Sequence, residues 1–211
     1  WKYYLRVESL NAEEYAKTVH LFYEVWIRNG GQQLEAKMEF EHLRGDIRRT
    51  PLVSRDQQYG CTARALGTLL YSLHLPYLQG MNAFFAVLYF ALSELEAFHV
   101  GRALLLGPAR CYYRKRDIAR YKQCRDALAV TIGCLKAFDR EFHAEVEKQL
   151  QMKGIGLEDC LDHDLNAAES TRYDPPGLLL VWDVIMVHAP LFILPVCVAA
   201  RVLLDKDFIL S

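Results

Sequence analysis

The sequence predicts an all-α protein. Apolar residues recur every three to four positions along several segments, as on the buried face of a helix, and no segment alternates apolar with polar residues as a half-buried strand would. Gly and Pro residues separate the helical segments. The chain has 211 residues, of which 52% are hydrophobic and 24% are charged, a composition typical of a folded protein with a substantial core. We therefore expect a multi-helix fold with no significant sheet.

The first helix is predicted from Ala12 to Arg28. Within it Tyr15, Val19 and Phe22 follow the helical spacing, and Gly30-Gly31 is expected to end it.

A second helix is indicated by Leu34, Met38 and Phe40 and leads toward Arg49. Because a proline disfavours helical angles at the residue before it, Pro51 places Arg49 at the helix end or in the loop that follows. A long side chain at such a position can project beyond the scaffold.

A third helix, from Ala63 to Leu73, carries leucines on one face and ends near Pro76. An apolar fourth helix is predicted from about Ala83 to Leu92, directly after the segment 77–82. Gln79 then lies just before a helix N-terminus, where free backbone N–H groups and the helix dipole favour a negatively charged neighbour.

The second half of the chain contains two further helices, predicted from about Asp117 to Ala137 and from about Arg140 to Met152. They follow a basic, tyrosine-bearing stretch over 110–125, and residues 154–177 are expected to be the least regular part of the chain.

Residues 178–204 are apolar over a length that could cross a bilayer, but they include Asp183, Arg201 and two prolines. A charged residue at bilayer depth costs several kcal/mol, so we interpret this stretch as two buried helices broken around residues 188–190. The apolar run over 83–92 is shorter than the roughly 20 residues that a spanning helix needs. We expect no transmembrane segment.

Charge and cysteine usage exclude several classes of protein. The net charge of −1 gives no overall field that attracts nucleic acid or an anionic membrane. Six cysteines occur without a CxxC pair, which favours reduced thiols in an intracellular protein over a disulfide framework. The opening residues lack the pattern of a signal peptide, and we expect a domain truncated at its N-terminus.

Two short segments carry side chains suited to phosphoryl transfer. Residues 43–51 read LRGDIRRTP and residues 77–82 read YLQGMN. Arg49 presents a permanently charged fork of donors that fits phosphate oxygens, and Gln79 has the donor and the acceptor needed to hold a water molecule. An arginine and a glutamine are the groups that accelerate GTP hydrolysis at another protein's nucleotide site.

Other candidate sites are weaker. Cys160, Asp162, His163 and Asp164 match no known metal-ligand spacing, so we predict no metal site. The chain has no GxxxxGK(S/T) segment and is expected to bind no nucleotide by itself. The basic stretch 110–125 is typical of a solvated helix face, with an RNA-binding helical module as the alternative.

The two segments resemble the "IxxDxxRT" and "YxQGMN" motifs of the TBC domain family, the GTPase-activating proteins of Rab-family small GTPases. Leu43, Asp46, Arg49 and Thr50 stand at the positions of the first motif, and residues 77–82 supply the second. Residues 94–98 (ELEAF) are similar to the family's "ExxAF" segment, residues 180–183 (LVWD) to its "RIWD" segment, and Trp1 to the last residue of its opening "RxxxW" motif.

The resemblance implies one domain over 1–211 with two lobes, roughly 1–110 and 111–211. It further implies that Arg49 is a catalytic arginine finger, inserted into the partner's nucleotide site, and that Gln79 is a second catalytic residue that positions water. The supporting residues would be Asp46, Thr50, Tyr77, Gly80 and Asn82.

The implied partner is a GTP-bound Rab-family GTPase in vesicle trafficking and intracellular protein transport. GTP and Mg²⁺ would be carried by that partner, so the chain would need no cofactor of its own. We expect a cytoplasmic protein, peripheral to endomembranes, that binds no nucleic acid and approaches membranes through its partner. Residues 154–173 lack a tryptophan that the family usually has before the "RIWD" segment, which affects the choice of partner. The alternative is a non-catalytic TBC-like scaffold that binds a small GTPase.

Overall fold

The computed structural model describes residues 1–24, 34–50, 58–75, 77–111, 118–166, 174–188 and 193–209. All regular secondary structure in these residues is helical, as the sequence predicts. In chain order the helices are α1 (Ala12–Phe22), α2 (Leu34–Arg49), α3 (Gln58–Ser72), α4 (Met81–Ala91), α5 (Glu94–Leu106), a 3-10 turn (Pro108–Cys111), α6 (Ile118–Phe138), α7 (Arg140–Met152), α8 (Leu157–Asn166), α9 (Pro175–Val187), α10 (Leu194–Leu204) and α11 (Lys206–Ile209).

The predicted helices and the observed helices agree closely for α2, α4, α6 and α7. The third helix begins at Gln58, earlier than its leucine pattern indicates. The predicted end of the first helix at Gly30-Gly31 lies outside the described residues, as do Pro51 and Pro76.

Two observed helices, α8 and α5, were not predicted from the sequence. Residues 154–177 were expected to be the least regular part of the chain, but α8 lies within them. It buries Leu157, Leu161 and Leu165, which are spaced four residues apart on one face. The second is α5, which the apolar periodicity did not reveal because residues on almost all of its sides are buried.

Helix α4 lies at the centre of the first half of the chain. Phe84, Phe85, Val87 and Leu88 are all buried, and α4 packs against α2, α3 and α5. A helix that is apolar on every side is stable only when its neighbours cover every side. This accounts for the apolar residues over 83–88, all of which are buried, whereas Phe90 near the helix end is 45% exposed. Among the described residues no helix is both long enough and apolar enough to span a bilayer.

A partly buried carboxylate joins four helices at the start of α5. Glu94 accepts hydrogen bonds from the hydroxyls of Tyr15 in α1 and Tyr89 in α4, and from Nη2 of Arg64 in α3, which lies 3.1 Å from each carboxylate oxygen. Burial, together with the hydrogen bond to Glu94, raises the pKa of Tyr15 well above its ordinary range. The first residue of the ELEAF segment is therefore a structural group, and the last two, Ala97 and Phe98, are fully buried core residues.

Helices α1 to α5 pack chiefly against one another, and α6 to α11 form a second group. The 3-10 turn contacts both α5 and α6. The ring of Trp182 in α9 lies 5.4 Å from that of Phe84 in α4 and 5.6 Å from that of Trp1, measured between ring centroids. Asp183 is exposed and accepts a hydrogen bond of 2.7 Å from the Trp1 indole N–H. The two lobes and their boundaries remain a prediction.

Candidate functional site

Arg49 is the last residue of α2 and its side chain is 76% exposed. Two apolar residues, Leu43 and Ile47, are fully buried on the opposite side of the same helix end. The backbone N–H of Thr50 donates to the carbonyl oxygen of Ile47 at 3.0 Å, which ends the helix tightly. The burial of one face thus anchors the helix end and leaves the guanidinium of Arg49 in solvent.

The carboxylate of Asp46 holds two different groups. Its Oδ1 lies 2.5 Å from Nη2 of Arg49, and its Oδ2 accepts a hydrogen bond of 2.7 Å from the hydroxyl of Tyr77. The Asp46 side chain is only 15% exposed, so its hydrogen bonds to Arg49 and Tyr77 replace much of the hydration that the carboxylate loses on burial. Asp46 therefore joins the end of α2 to the segment 77–82.

Gln79 lies in the turn that precedes α4, and it is exposed. The next residue, Gly80, has φ 98° and ψ −28°, a left-handed conformation that favours glycine. The N–H of Met81 donates to the carbonyl of Leu78 at 3.1 Å, which closes the turn around Gln79. Among the described residues, none is hydrogen-bonded to the Gln79 side chain. Its amide is free to bind an external group.

The side-chain amide of Asn82 connects the two segments a second time. Its Oδ1 accepts the backbone N–H of Gly80 at 3.1 Å, and its Nδ2 donates to Oγ1 of Thr50 at 2.9 Å. Thr50 is buried, and its hydroxyl donates in turn to the backbone carbonyl of Asp46 at 3.0 Å. Thr50 follows Arg49 in the chain and Gly80 follows Gln79, so one side chain fixes the neighbours of both exposed residues.

The resulting site is a hydrogen-bonded polar network with an exposed cation at one end and an exposed amide at the other. Every supporting residue predicted from the sequence belongs to it: Asp46, Thr50, Tyr77, Gly80 and Asn82. A guanidinium with one N–H bonded to Asp46 keeps most of its donors for phosphate oxygens. Whether the Arg49 and Gln79 side chains converge on one phosphate remains a prediction.

The bond from Tyr77 to Asp46 was not predicted from the sequence. The two residues are 31 positions apart, and no spacing rule links residues of separate helices. Arg48 is exposed beside Arg49, so exposure does not distinguish the two arginines. The two arginines are distinguished by the bond from Arg49 to Asp46, because α2 brings residues three positions apart to one face.

Two other candidates lie largely outside the described residues. Cys160 is exposed, but the side chains of residues 162–164 are not described. The same holds for the side chains of the basic stretch over 110–125, so the RNA-binding alternative remains a prediction.

A family model described as the Rab-GTPase-TBC domain matches residues 1–210. No curated protein and no solved structure matches the chain. The match covers nearly the whole sequence, and the all-helical fold is that of the family. The chain belongs to the Rab-GTPase-TBC domain family, whose general role is that of a Rab GTPase-activating protein.

Proposed function

We propose that this chain accelerates GTP hydrolysis by a GTP-bound Rab-family GTPase, with Arg49 and Gln79 as its catalytic residues. The observation that carries the proposal is the Asn82 amide, which is bonded to Thr50 beside Arg49 and to Gly80 beside Gln79. The exposed side chains of Arg49 and Gln79, both suited to phosphoryl transfer, thus adjoin residues that belong to the same hydrogen-bonded network.

In this mechanism Arg49 enters the partner's nucleotide site and neutralises the charge that develops on the transferred phosphoryl group. Gln79 holds the attacking water, using its carbonyl oxygen to accept from the water and its amide to donate to a phosphate oxygen. The positions of both side chains must be closely fixed, because a misplacement of about 1 Å can lower the rate about 100-fold.

GTP and Mg²⁺ would arrive with the partner, and the chain would supply only side chains. Since the partner GTPase would be carried on a membrane, the chain would act at endomembranes in vesicle trafficking.

The test is phosphate release from a panel of GTP-loaded Rab proteins, with wild-type chain and variants. Arginine fingers contribute about 10³–10⁵-fold in rate, so Arg49→Ala and Arg49→Lys should nearly abolish stimulation. Gln79→Ala should also slow hydrolysis, with little change in unfolding free energy because the side chain is exposed.

Arg48→Ala is the matched control, since it removes an exposed arginine from the adjacent position. It should retain the maximal rate. Equal activity of Arg49→Ala and wild type on a responsive Rab would exclude the mechanism. Binding of a GTP-loaded Rab without any acceleration would instead identify the chain as a non-catalytic scaffold.

A further inference from the structure

The hydroxyl of Tyr77 belongs to one motif but bonds to a residue of the other. It lies 2.7 Å from Oδ2 of Asp46 and 3.0 Å from Oδ1 of Asn82. A tyrosine hydroxyl has a single proton. Oδ1 of Asn82 already accepts the N–H of Gly80, and a carboxylate is the stronger acceptor. The Tyr77 proton is therefore directed to Asp46.

The other oxygen of the same carboxylate holds Arg49. A carboxylate bound through one oxygen alone can rotate, whereas one bound through both oxygens to separate partners has a fixed plane. Tyr77 is 8% exposed and packs in the hydrophobic core, so the position of its hydroxyl is fixed by the packing of the ring. Arg49, at 76% exposure with its only described hydrogen bond to Asp46, takes its direction from this carboxylate.

We propose that Tyr77 is a positioning residue for Arg49, and that it acts by fixing the Asp46 carboxylate through its hydroxyl. The proposal rests on the proposed function for its kinetic consequence and assigns Tyr77 a role across the two motifs. In the complex, Arg49 keeps one N–H on Asp46 and presents the others to the partner's phosphate. The direction in which the guanidinium enters the nucleotide site is then set before binding.

The kinetic test is single-turnover GTP hydrolysis by a responsive Rab at increasing concentrations of the chain. Tyr77→Phe keeps the buried ring and removes only the hydroxyl. The maximal rate should fall about 10-fold, within the range that small misplacements of a catalytic group produce, while the half-saturating concentration stays near that of wild type. Asp46→Asn keeps the shape but loses the charge, and should lower the maximal rate at least as much.

Tyr89→Phe is the matched control, because it also removes a tyrosine hydroxyl from a carboxylate, that of Glu94, at 3.3 Å. It should leave the maximal rate unchanged. Tyr77→Phe should reduce the rate by the same factor in a Gln79→Ala background, because it acts on Arg49 alone. A change in the half-saturating concentration only, or an equal loss in Tyr89→Phe, overturns the proposal.

A second measurement does not depend on GTPase activity. Side-chain ¹⁵N relaxation of the Arg49 guanidinium, assigned with Arg49→Lys, reports how well its direction is fixed. Arg49 should become more mobile in Tyr77→Phe and not in Tyr89→Phe. If the Arg49 guanidinium is equally well ordered in Tyr77→Phe and in wild type, the proposal is overturned, even if no Rab protein responds to the chain. If Arg49 becomes more mobile in Tyr77→Phe but no Rab protein in the panel is stimulated, the result counts only against the proposed function.

Discussion

At the scale of single residues, the left-handed backbone conformation of Gly80 determines the shape of the turn that carries Gln79. Its φ of 98° is reached at low cost only by glycine, and its N–H donates to Asn82 while Gln79 stands exposed beside it. The glycine of the second motif is therefore required by geometry, and a side chain there would shift the turn that carries Gln79.

We expect Gly80→Ala to lower the unfolding free energy by about 1–2 kcal/mol, the cost of a left-handed conformation for a residue with a Cβ. It should also slow GTP hydrolysis. Urea denaturation and the phosphate-release assay measure the two effects.

Gly154→Ala is the control that distinguishes the effect of backbone strain on stability from an effect on GTP hydrolysis. Gly154 also has a positive φ, of 69°, and an added Cβ there would meet no atom within 4 Å. This control should lose similar stability and keep the stimulated rate. An equal loss of rate in both variants would mean that instability, not the turn, explains the effect of Gly80→Ala.

At the scale of elements, α5 depends on a close approach to α3 and α4. A Cβ added to Gly101 would lie 2.8 Å from Cδ2 of Leu69 and 3.3 Å from Cε2 of Phe85. Both neighbours are fully buried, so neither can move without disturbing the core. The absence of a side chain at Gly101 sets the distance between these helices.

Gly101→Ala should therefore destabilise the protein by about 1–3 kcal/mol, as overpacking of a core does. Gly133→Ala in α6 is the matched helical control, because its Cβ would meet nothing within 4 Å. It should be neutral or stabilising by up to about 1 kcal/mol, from better helix propensity. Thermal and urea denaturation of both variants would check this, and equal stability of the two would contradict the packing argument.

The N-terminus of α5 carries a pH-dependent contribution to stability. Glu96 forms a capping box with Ser93 and an ion pair with Lys2. The Lys2 ammonium, together with the donors of Ser93, lowers the pKa of Glu96 from 4.5 to about 2. Because the folded-state pKa is lowered, the stabilisation is present above pH 4.5 and is lost as the pH falls toward 2.

Glu96→Gln should accordingly be less stable than wild type at neutral pH, and the difference should shrink as the pH falls from 4.5 toward 2. Urea denaturation across this range at low salt measures it, because the pair is partly exposed and salt would screen it. Lys2→Met should remove much of the pH dependence. A difference that does not change with pH would contradict the assignment.

At the scale of the whole molecule, Trp182 joins the two groups of helices. It is fully buried in α9 and contacts both Trp1 and Phe84 of the first half. Trp182→Ala should lower the unfolding free energy by about 3–5 kcal/mol, the usual cost of removing a large aromatic side chain from a core. Far-UV circular dichroism during urea denaturation gives the value.

Tyr3→Ala is the control, since its side chain is 87% exposed. Its effect should stay within about 0.5 kcal/mol. A Trp182→Ala variant as stable as Tyr3→Ala would show that the ring does not join the two halves.

The sequence determined the helical class, the position of most helices and the residues that form the site network. These features rest on local rules: a 3.6-residue period, the effect of a proline on its predecessor, and motifs that are short and continuous. Leu157, Leu161 and Leu165 also carry a helical spacing, but residues 154–177 were expected to be the least regular part of the chain, and α8 was not predicted there.

Only the tertiary structure decided how the two motifs are joined. The bond from Tyr77 to Asp46 and the bridge from Asn82 to Thr50 join the end of α2 to the turn before α4 and to the first residues of α4. The Glu94 carboxylate takes its partners from α1, α3 and α4 together. Such contacts form because several helices pack around one core, and most of them join residues 30 or more positions apart, which leaves no period in the sequence. The same packing concealed α5, since a helix that is covered on nearly every side has no polar face to mark it.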